Sequence, residues 1–449
     1  MAVDLPRELA LKTIYEINEK GAYSNLALNK LLEGNSLKGV DRAFVTELVY
    51  GVLKWKLSID WTISKFSSIK LKKISPWILN ILRLGVYQLL YTDRIPVSAA
   101  CNESVNLSKR YGHSGSSKFV NGVLRSIARS KASIEYPDKE KDIVGYLSVK
   151  YSHPDWLVTE WLQRFGKEFT EDLLCSNNEV PDFMIRVNTL KTSKDKLKLE
   201  LSENGVETTD GKFMDEALQV LNPGSFLNLE QYKMGHFLVQ DESSMLVARV
   251  MDPKPGELIV DVCSAPGGKT THMAQLMKNE GLIVARDIHE HKINLINEGS
   301  KRLGVEIIKA EAFDAVNIDE NLIEKADRVL VDAPCTGFGI IRKKPDIKWS
   351  RSAKDKKEIT DLQLKILSNA SRYVKAGGYL VYSTCTIENE ENKDLVDRFL
   401  NESEDFFLED FISLLPEGLK EFSKKGYIEL YPNINKVDGF FIAKMRKRG

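Results

Sequence analysis

The chain of 449 residues has five cysteines, too few and too scattered for a disulfide framework. Cys101, Cys175, Cys263, Cys335 and Cys385 form no CxxC pair, so neither a zinc cluster nor a dithiol redox motif is expected, and no metal site is assigned. They suit a reducing cytoplasm, with Cys101 and Cys175 expected as small buried hydrophobes. Long apolar runs are missing too. The most apolar stretch, Trp77 to Tyr91, is interrupted by Asn80, Arg83 and Gln88, so no membrane span is expected. The N-terminus has no apolar core of signal-peptide length and reads at once as amphipathic helix, which points to a cytoplasmic protein. Low-complexity tracts and internal repeats are absent from the sequence.

Net charge is also lacking: 64 Lys and Arg offset 64 Asp and Glu. Over the whole chain this argues against a nucleic-acid partner. The distribution reverses that reading, because residues 51–130 hold 13 basic against 3 acidic side chains. Such a local excess is an electrostatic footprint for a phosphate backbone. With 43% hydrophobic and 29% charged residues the composition is that of a globular protein, and the length predicts two or three domains. A monomer is the default expectation.

From residue 1 to about 130 the apolar spacing is helical, as in Phe44, Val45, Leu48, Val49, Val52 and Leu53, then Ile78, Leu79, Leu82 and Val86. Breaks at Gly34-Asn35, Ser75-Pro76, Ile95-Pro96 and Gly112 to Gly115 divide the segment into five to seven helices. A charged connector follows, with a turn at Pro137-Asp138 and a helix opening at Asp155 after Ser152-His153-Pro154. Between Asp182 and Val239, short apolar runs such as Phe183 to Val187 and a Lys-rich helix near 193–203 indicate a small α+β subdomain. After Gly256 strands and helices alternate. Strands are expected at Leu258 to Val262, Leu282 to Asp287, Glu306 to Lys309, Arg328 to Asp332 and Tyr379 to Ser383. This is the pattern of a parallel sheet with helices on both faces, whose ligands bind at the strand carboxyl ends. Tyr427 to Tyr431 and Gly439 to Met445, with no helix between them, are expected as a hairpin at the sheet edge. The predicted organisation is multidomain: an all-α domain over 1–135, a connector and small α+β subdomain over 136–240, and an α/β Rossmann-like domain over 241–449.

The segment LIVDVCSAPGGK, Leu258 to Lys269, runs from an apolar strand through a Gly-rich turn into a helix. Glycines there let a ligand approach the backbone and expose amides at a helix N-terminus, which suits a nucleotide-like cofactor. Gly268-Lys269-Thr270 matches the tail of a phosphate-binding P-loop, but Cys263 stands where that motif needs its first glycine. Asp287 ends the next strand, where such sites place a carboxylate on ribose hydroxyls, and Asp314 follows the third strand, facing the adenine position. Two cysteines then follow adjacent strands: Cys335 in Asp332-Ala333-Pro334-Cys335 and Cys385 in Ser383-Thr384-Cys385. Adjacent parallel strands ending this way bring both thiols to the cofactor crevice.

A methyltransferase acting on a pyrimidine needs a thiol for a chemical reason. Carbon 5 is a poor nucleophile, and a thiolate added to carbon 6 turns the ring into an enamine that attacks a methyl sulfonium. A free thiol, with pKa roughly 8.5, is little ionised at neutral pH, so the site must favour thiolate. Asp332, if protonated or sharing a proton with the ring nitrogen, would draw electron density toward it as carbon 6 is attacked. A second thiol suits the later loss of the carbon 5 proton, as a base or by assisting release.

At these residues the sequence resembles the Nol/Nop/Sun family of RNA 5-methylcytosine methyltransferases. The segments concerned are CSAPGGK (Cys263 to Lys269), DAPCTG (Asp332 to Gly337), RKKPDIKW (Arg342 to Trp349) and YSTCT (Tyr382 to Thr386). Arg186 to Leu190 and Gln240 to Ser244 also look like its motifs. In the helical segment Asp41 to Phe44, Leu82 to Leu89, Ala99 to Val105 and Lys118 to Arg125 resemble the NusB-type RNA-binding fold. The resemblance implies a class I methyltransferase fold and S-adenosyl-L-methionine contacts by Cys263, Ser264, Ala265, Pro266, Gly267, Gly268, Lys269, Asp287, Asp314 and Asp332. It implies that Cys385 is the nucleophile and that Cys335 serves product release, with Asp332 the third catalytic group. Small-subunit ribosomal RNA is the implied partner, and neither DNA nor a membrane is expected. Transfer RNA as substrate, and a non-catalytic NusB-like antitermination factor, are the alternatives. Pro432 is followed by Asn433, where the family commonly has Pro-His. The run Arg342 to Lys357 holds eight basic residues against two Asp and is expected to contact RNA backbone.

Overall fold

The computed structural model describes residues 3–35, 37–222 and 229–449. They divide into two compact units, Met1–Glu179 with Ile341–Arg351, and Val180–Ile340 with Ser352–Gly449.

The first unit is all-α. Its first seven helices are α1 (Leu5–Lys20), α2 (Ser24–Glu33), α3 (Gly39–Lys54), α4 (Lys56–Phe66), α5 (Pro76–Leu90), α6 (Val97–Tyr111) and α7 (Ser116–Arg129). They break where the sequence carries stop signals. The Asp4 side chain caps α1, which ends on left-handed Gly21, and Pro76 opens α5 at a position that needs no amide donor. The core is the stripe read from the 3.6-residue period, with Val45, Leu48, Val49, Val52, Ile78, Leu82 and Val86 buried. Gly51 is required by close packing, because a Cβ there would lie 2.0 Å from the Tyr87 ring. Helices α8 (Ile143–Tyr151), α9 (Asp155–Phe165) and α10 (Lys167–Ser176) complete the unit. Cys101 is buried as expected, but Cys175 is exposed, because it falls on the outer side of α10 while Leu173, Leu174 and Ser176 turn inward.

The second unit begins with a four-stranded antiparallel sheet. Its strands are β1 (Phe183–Val187), β2 (Thr208–Asp210), β3 (Ala217–Val220) and β4 (Phe237–Val239), in the order β2-β3-β1-β4. Helix α11 (Lys194–Glu203) buries Leu197 and Leu201 against Ile185, Val187, Leu218 and Phe237, and α12 (Glu230–Lys233) precedes β4. Helix α13 (Glu242–Met251) then leads into alternating elements: β5 (Leu258–Asp261), α14 (Gly268–Leu276), β6 (Leu282–Asp287), α15 (Glu290–Leu303), β7 (Ile308–Ala312) and β8 (Ala326–Asp332). At Ile340 the chain leaves for the first unit, forms α16 (Ile347–Ser350), and returns at Ser352. Next come α17 (Ala353–Ser371), β9 (Val374–Thr384), α18 (Lys393–Glu402), β10 (Phe406–Leu408), β11 (Ser423–Lys424), β12 (Tyr427–Leu430), α19 (Pro432–Asn435) and β13 (Phe440–Lys447).

The large sheet runs β11-β12-β13-β9-β8-β5-β6-β7, with β10 on the other part of β13. From β9 to β7 every pair is parallel, and β13 is antiparallel to β9. Chain order reverses between β5 and β8, so the loops after these strands diverge and open a crevice. Two details differ from the sequence reading. The third strand starts two residues late, at Ile308. The final two strands do pair, but α19 stands between them, and β13 lies inside the sheet between β9 and β12. Its near-continuous burial from Phe440 to Met445 is that of an interior strand.

The excursion corrects the reading of the basic run. Lys348 is 1% exposed and donates to the backbone oxygens of Lys54 (2.9 Å) and Ser152 (2.7 Å), while Trp349 Nε1 donates to Leu53 O. Carbonyls left over at helix C-termini are thereby satisfied. Arg342 and Lys356 are buried too, the latter paired with Glu388. The run is not a continuous basic surface, because three of its cations are interior.

Candidate active site at the strand carboxyl ends

Register places the two cysteine segments side by side. Asp332, the last residue of β8, pairs with Ser383 of β9, and the chains run on in parallel to Cys335 and Cys385. Their sulfurs are 3.3 Å apart. Ser383 Oγ donates to Asp332 Oδ1 (2.8 Å), and Lys269 Nζ stands 2.7 Å from Asp332 Oδ2. Burial alone would lower the Lys269 pKa, but Asp332, and further off Cys385 and Asp261, overcome this and raise it. The ammonium is therefore held charged beside the Asp332 carboxylate.

Burial acts on the thiols around the crevice. The hydrogen bond with Cys385 and burial push the Cys335 thiol well above the ordinary range, and burial does the same to Cys263. Both stay protonated at neutral pH.

The loop from Cys263 to Gly268 wraps the start of α14. Ser264 donates from N (2.7 Å) and Oγ (2.9 Å) to Arg286 O, and the Ala265-Pro266 bond is cis. Gly267 has φ 98°, a left-handed conformation that suits glycine, and the helix starts at Gly268. Under the loop, Asp261 is fully buried, accepts from Thr270 Oγ1 at 2.7 Å, and keeps Oδ1 without a partner among the described residues. Burial, with Asp332 adding to it, pushes its pKa up to about 7 against the pull of Thr270. At the next strand end Asp287 uses one oxygen to accept from His289 N (3.0 Å), and Phe313 N donates to Asp287 O. Asp314 follows, one oxygen accepting from Val316 N. Among the described residues no hydrogen bond reaches the second oxygen of Asp261, Asp287 or Asp314, while Lys292 Nζ lies 3.5 Å from Asp287 Oδ1.

Several supporting residues escaped the sequence reading. Glu391, fully buried, accepts from Thr336 N (2.9 Å), Thr336 Oγ1 and Gln363 Nε2 (2.9 Å), and Gln363 also donates to Pro334 O. Thr336 and Thr386 share a hydrogen bond of 2.8 Å, while Asn392 accepts from Thr384 Oγ1 and donates to Thr386 O. These bonds tie the Cys335 loop to the Cys385 loop. Gly339 N donates to Cys385 O, and a Cβ on Gly339 would meet Gly439 O at 2.0 Å, so the two glycines allow three backbones to converge. Arg186, quoted in a motif without a role, is 1% exposed and donates to Gly268 O (2.7 Å), Thr271 Oγ1 and Gln240 Oε1, bracing the Gly-rich loop from β1. Asn433 lies in α19 with both amide atoms buried and without partners among the described residues.

Comparison with known proteins agrees with this arrangement. Residues 248–446 match the model described as 16S rRNA methyltransferase RsmB/F, residues 4–129 the NusB family, and residues 153–226 the RsmF/B-like ferredoxin-like domain. The chain is 41% identical over 447 residues to the probable ribosomal RNA small subunit methyltransferase B of Bacillus subtilis, covering 99% of each. The chain belongs to the RsmB/F methyltransferase family. It is an RNA methyltransferase with a NusB-like helical domain, a small middle domain and a C-terminal α/β methyltransferase fold. Other RsmB relatives include that of Synechocystis, 36% identical, with 98% of this chain and 99% of the relative covered. Among solved structures, the crystal structure of PH0851 has a TM-score of 0.83 at 30% identity and covers all of both chains. NSun6 from Pyrococcus horikoshii with SFG has a TM-score of 0.58 at 27% identity, over 66% of this chain and 98% of its own.

Proposed function

We propose that the chain methylates carbon 5 of a cytosine in small-subunit ribosomal RNA, using S-adenosyl-L-methionine and a covalent bond from Cys385 to carbon 6. The observation that carries this reading is the thiol pair, 3.3 Å apart beside the Lys269–Asp332 ion pair. A methyltransferase acting on an oxygen or an exocyclic nitrogen has no use for two such thiols.

The cofactor fits the residues at the strand ends. Gly267 and the first amides of α14 suit a polar group at a helix N-terminus. Asp287 and Asp314 each have an oxygen to which no described residue hydrogen-bonds, and these suit ribose hydroxyls and an adenine amine respectively. When bound, the cofactor supplies a methyl group on a sulfonium, which carbon 5 takes.

Cys385 adds as thiolate to carbon 6, with the Cys335 sulfur 3.3 Å away and the charged Lys269 ammonium in the same site to offset its negative charge. Asp332 shares a proton with the ring nitrogen as negative charge builds there, and Lys269 balances that charge. After methylation the carbon 5 proton leaves to a base and the bond from Cys385 to carbon 6 breaks, restoring the aromatic ring and the thiolate. Cys335, in contact with the Cys385 sulfur, serves this second half.

The test is transfer of tritium from labelled S-adenosyl-L-methionine to unmodified small-subunit rRNA, with transfer RNA in parallel, followed by nuclease digestion. Label in 5-methylcytidine from the ribosomal RNA is expected. Label in another nucleoside, or in transfer RNA alone, overturns the assignment.

A further inference from the structure

The helical unit contains a cavity that the proposed chemistry does not use. Its volume is about 340 Å³, and its walls come from the end of α1, the turn into α2, the start of α4 and the excursion, all within the first unit. Two cations line it. Lys56 opens α4 and makes no hydrogen bond or ion pair with the described residues; its Nζ lies 5.5 Å from the centroid of the Trp349 ring. Arg351 has a buried Nε with no partner among the described residues. The carboxylate on the wall, Asp346, is engaged elsewhere, accepting from Ser24 N (3.2 Å) and Ser24 Oγ (2.6 Å) at the start of α2.

Partly buried cations without counter-ions are costly, and an anion that satisfies both recovers that cost. Burial, together with Arg83, lowers the Lys56 pKa to about 8 while Asp60 and Glu19 oppose this, so the amine is still charged at neutral pH and gains from a docked anion. At the rim, Tyr23 is 62% exposed and offers an aromatic face. The volume is at the lower end of small-ligand clefts, about 300–1,000 Å³, and suits one nucleotide. Lys56 also belongs to the stretch 51–130, where 13 basic residues face 3 acidic ones, within the part that matches the NusB family.

We propose that this cavity binds one nucleotide from a single-stranded stretch of the substrate RNA, with Lys56 and Arg351 on its phosphate and Tyr23 stacked on its base. The inference rests on the RNA-methyltransferase reading above and adds to it a second contact, built in the helical unit whereas Cys335 and Cys385 belong to the other. Phosphate contacts fix register, and base–aromatic stacking tolerates many sequences, so the site anchors RNA rather than reading it.

The experiment measures binding of a labelled unmodified small-subunit rRNA fragment to the full chain across a salt series. It compares wild type, Lys56→Gln, Arg351→Gln and Tyr23→Ala, with Lys141→Gln as control, since that side chain is 85% exposed. Each charge variant is expected to weaken binding severalfold and to lower the slope of log affinity against log salt by about one, and Tyr23→Ala to weaken binding about fivefold or more. Lys141→Gln should match wild type, and melting curves score folding separately. Wild-type affinity and slope in folded Lys56→Gln and Arg351→Gln overturn the site. Methyl transfer by the same samples is recorded alongside, so unchanged binding in an active enzyme sinks the cavity alone, while a wild type that methylates no RNA sinks the parent reading.

Discussion

Cys335 and Cys385 are 50 positions apart in sequence and 3.3 Å apart at sulfur, held there by the parallel pairing of β8 with β9 and by Glu391, which grips the Cys335 loop through Thr336. The geometry of the pair belongs to the sheet and the network behind it as much as to the cysteines.

Glu391→Ala removes the acceptor of Thr336 N, Thr336 Oγ1 and Gln363 Nε2 in a dry environment. Buried donors left unsatisfied cost about 1–3 kcal/mol each. Urea unfolding should show a loss of about 2–4 kcal/mol, and residual folded enzyme should have a lower kcat with KM for RNA little changed.

Asp332→Asn breaks the ion pair with Lys269 while keeping an oxygen that can accept from Ser383. The proton-sharing partner of the ring nitrogen is lost. Single-turnover methylation should slow by about 10²-fold or more, with RNA affinity within about threefold of wild type. A rate within about fivefold of wild type would remove Asp332 from the catalytic set.

Asp261 gives the fold a pH dependence. Its folded pKa of about 7 is above the ordinary 3.8, so between those values the folded state holds a proton that the unfolded state has released. Stability contributed by this group is therefore present below about pH 4 and is lost as pH rises towards 7, by up to about 4 kcal/mol. Asp261→Asn should flatten the slope of unfolding free energy against pH over that window; an unchanged slope would mean the buried group titrates normally.

Gly339→Ala would place a Cβ 2.0 Å from Gly439 O and 2.8 Å from Cys385 O, both backbone atoms that cannot move aside cheaply. Melting temperature and methylation should both fall. Gly122→Ala, in α7 with nothing within 4 Å of the added carbon, should be neutral or stabilising by about 0.5–1 kcal/mol.

What the sequence made legible is what strict periodicity encodes. Asp287, Asp332 and Cys385 fall at or just beyond strand ends because apolar runs alternate with helices, and register then brings the thiols together. Motif resemblance, not spacing, distinguished the roles of Cys385 and Cys335. Illegible were the polar groups that face inward. Glu391, Gln363 and Asn392 look like solvent-facing residues of charged helical stretches, and only the fold reveals partners up to 55 positions away. Lys348 and Arg342 sit in a run whose composition suggests a wet basic surface, yet Lys348 fills the C-terminal end of α3 through its bond to Lys54 O. Cys175 shows the converse: a residue type that is usually buried can lie on the outer face of a helix whose other positions already fill the core.

The most direct test of the central claim is to trap the adduct. Full-length wild type, Cys335→Ala and Cys385→Ala are incubated with small-subunit rRNA and S-adenosyl-L-methionine, then run on a denaturing gel. The account predicts a covalent protein–RNA band that accumulates in Cys335→Ala, is scarce in wild type, and is absent with no methylation in Cys385→Ala. A band that persists in Cys385→Ala, or methylation that survives loss of that thiol, would contradict it.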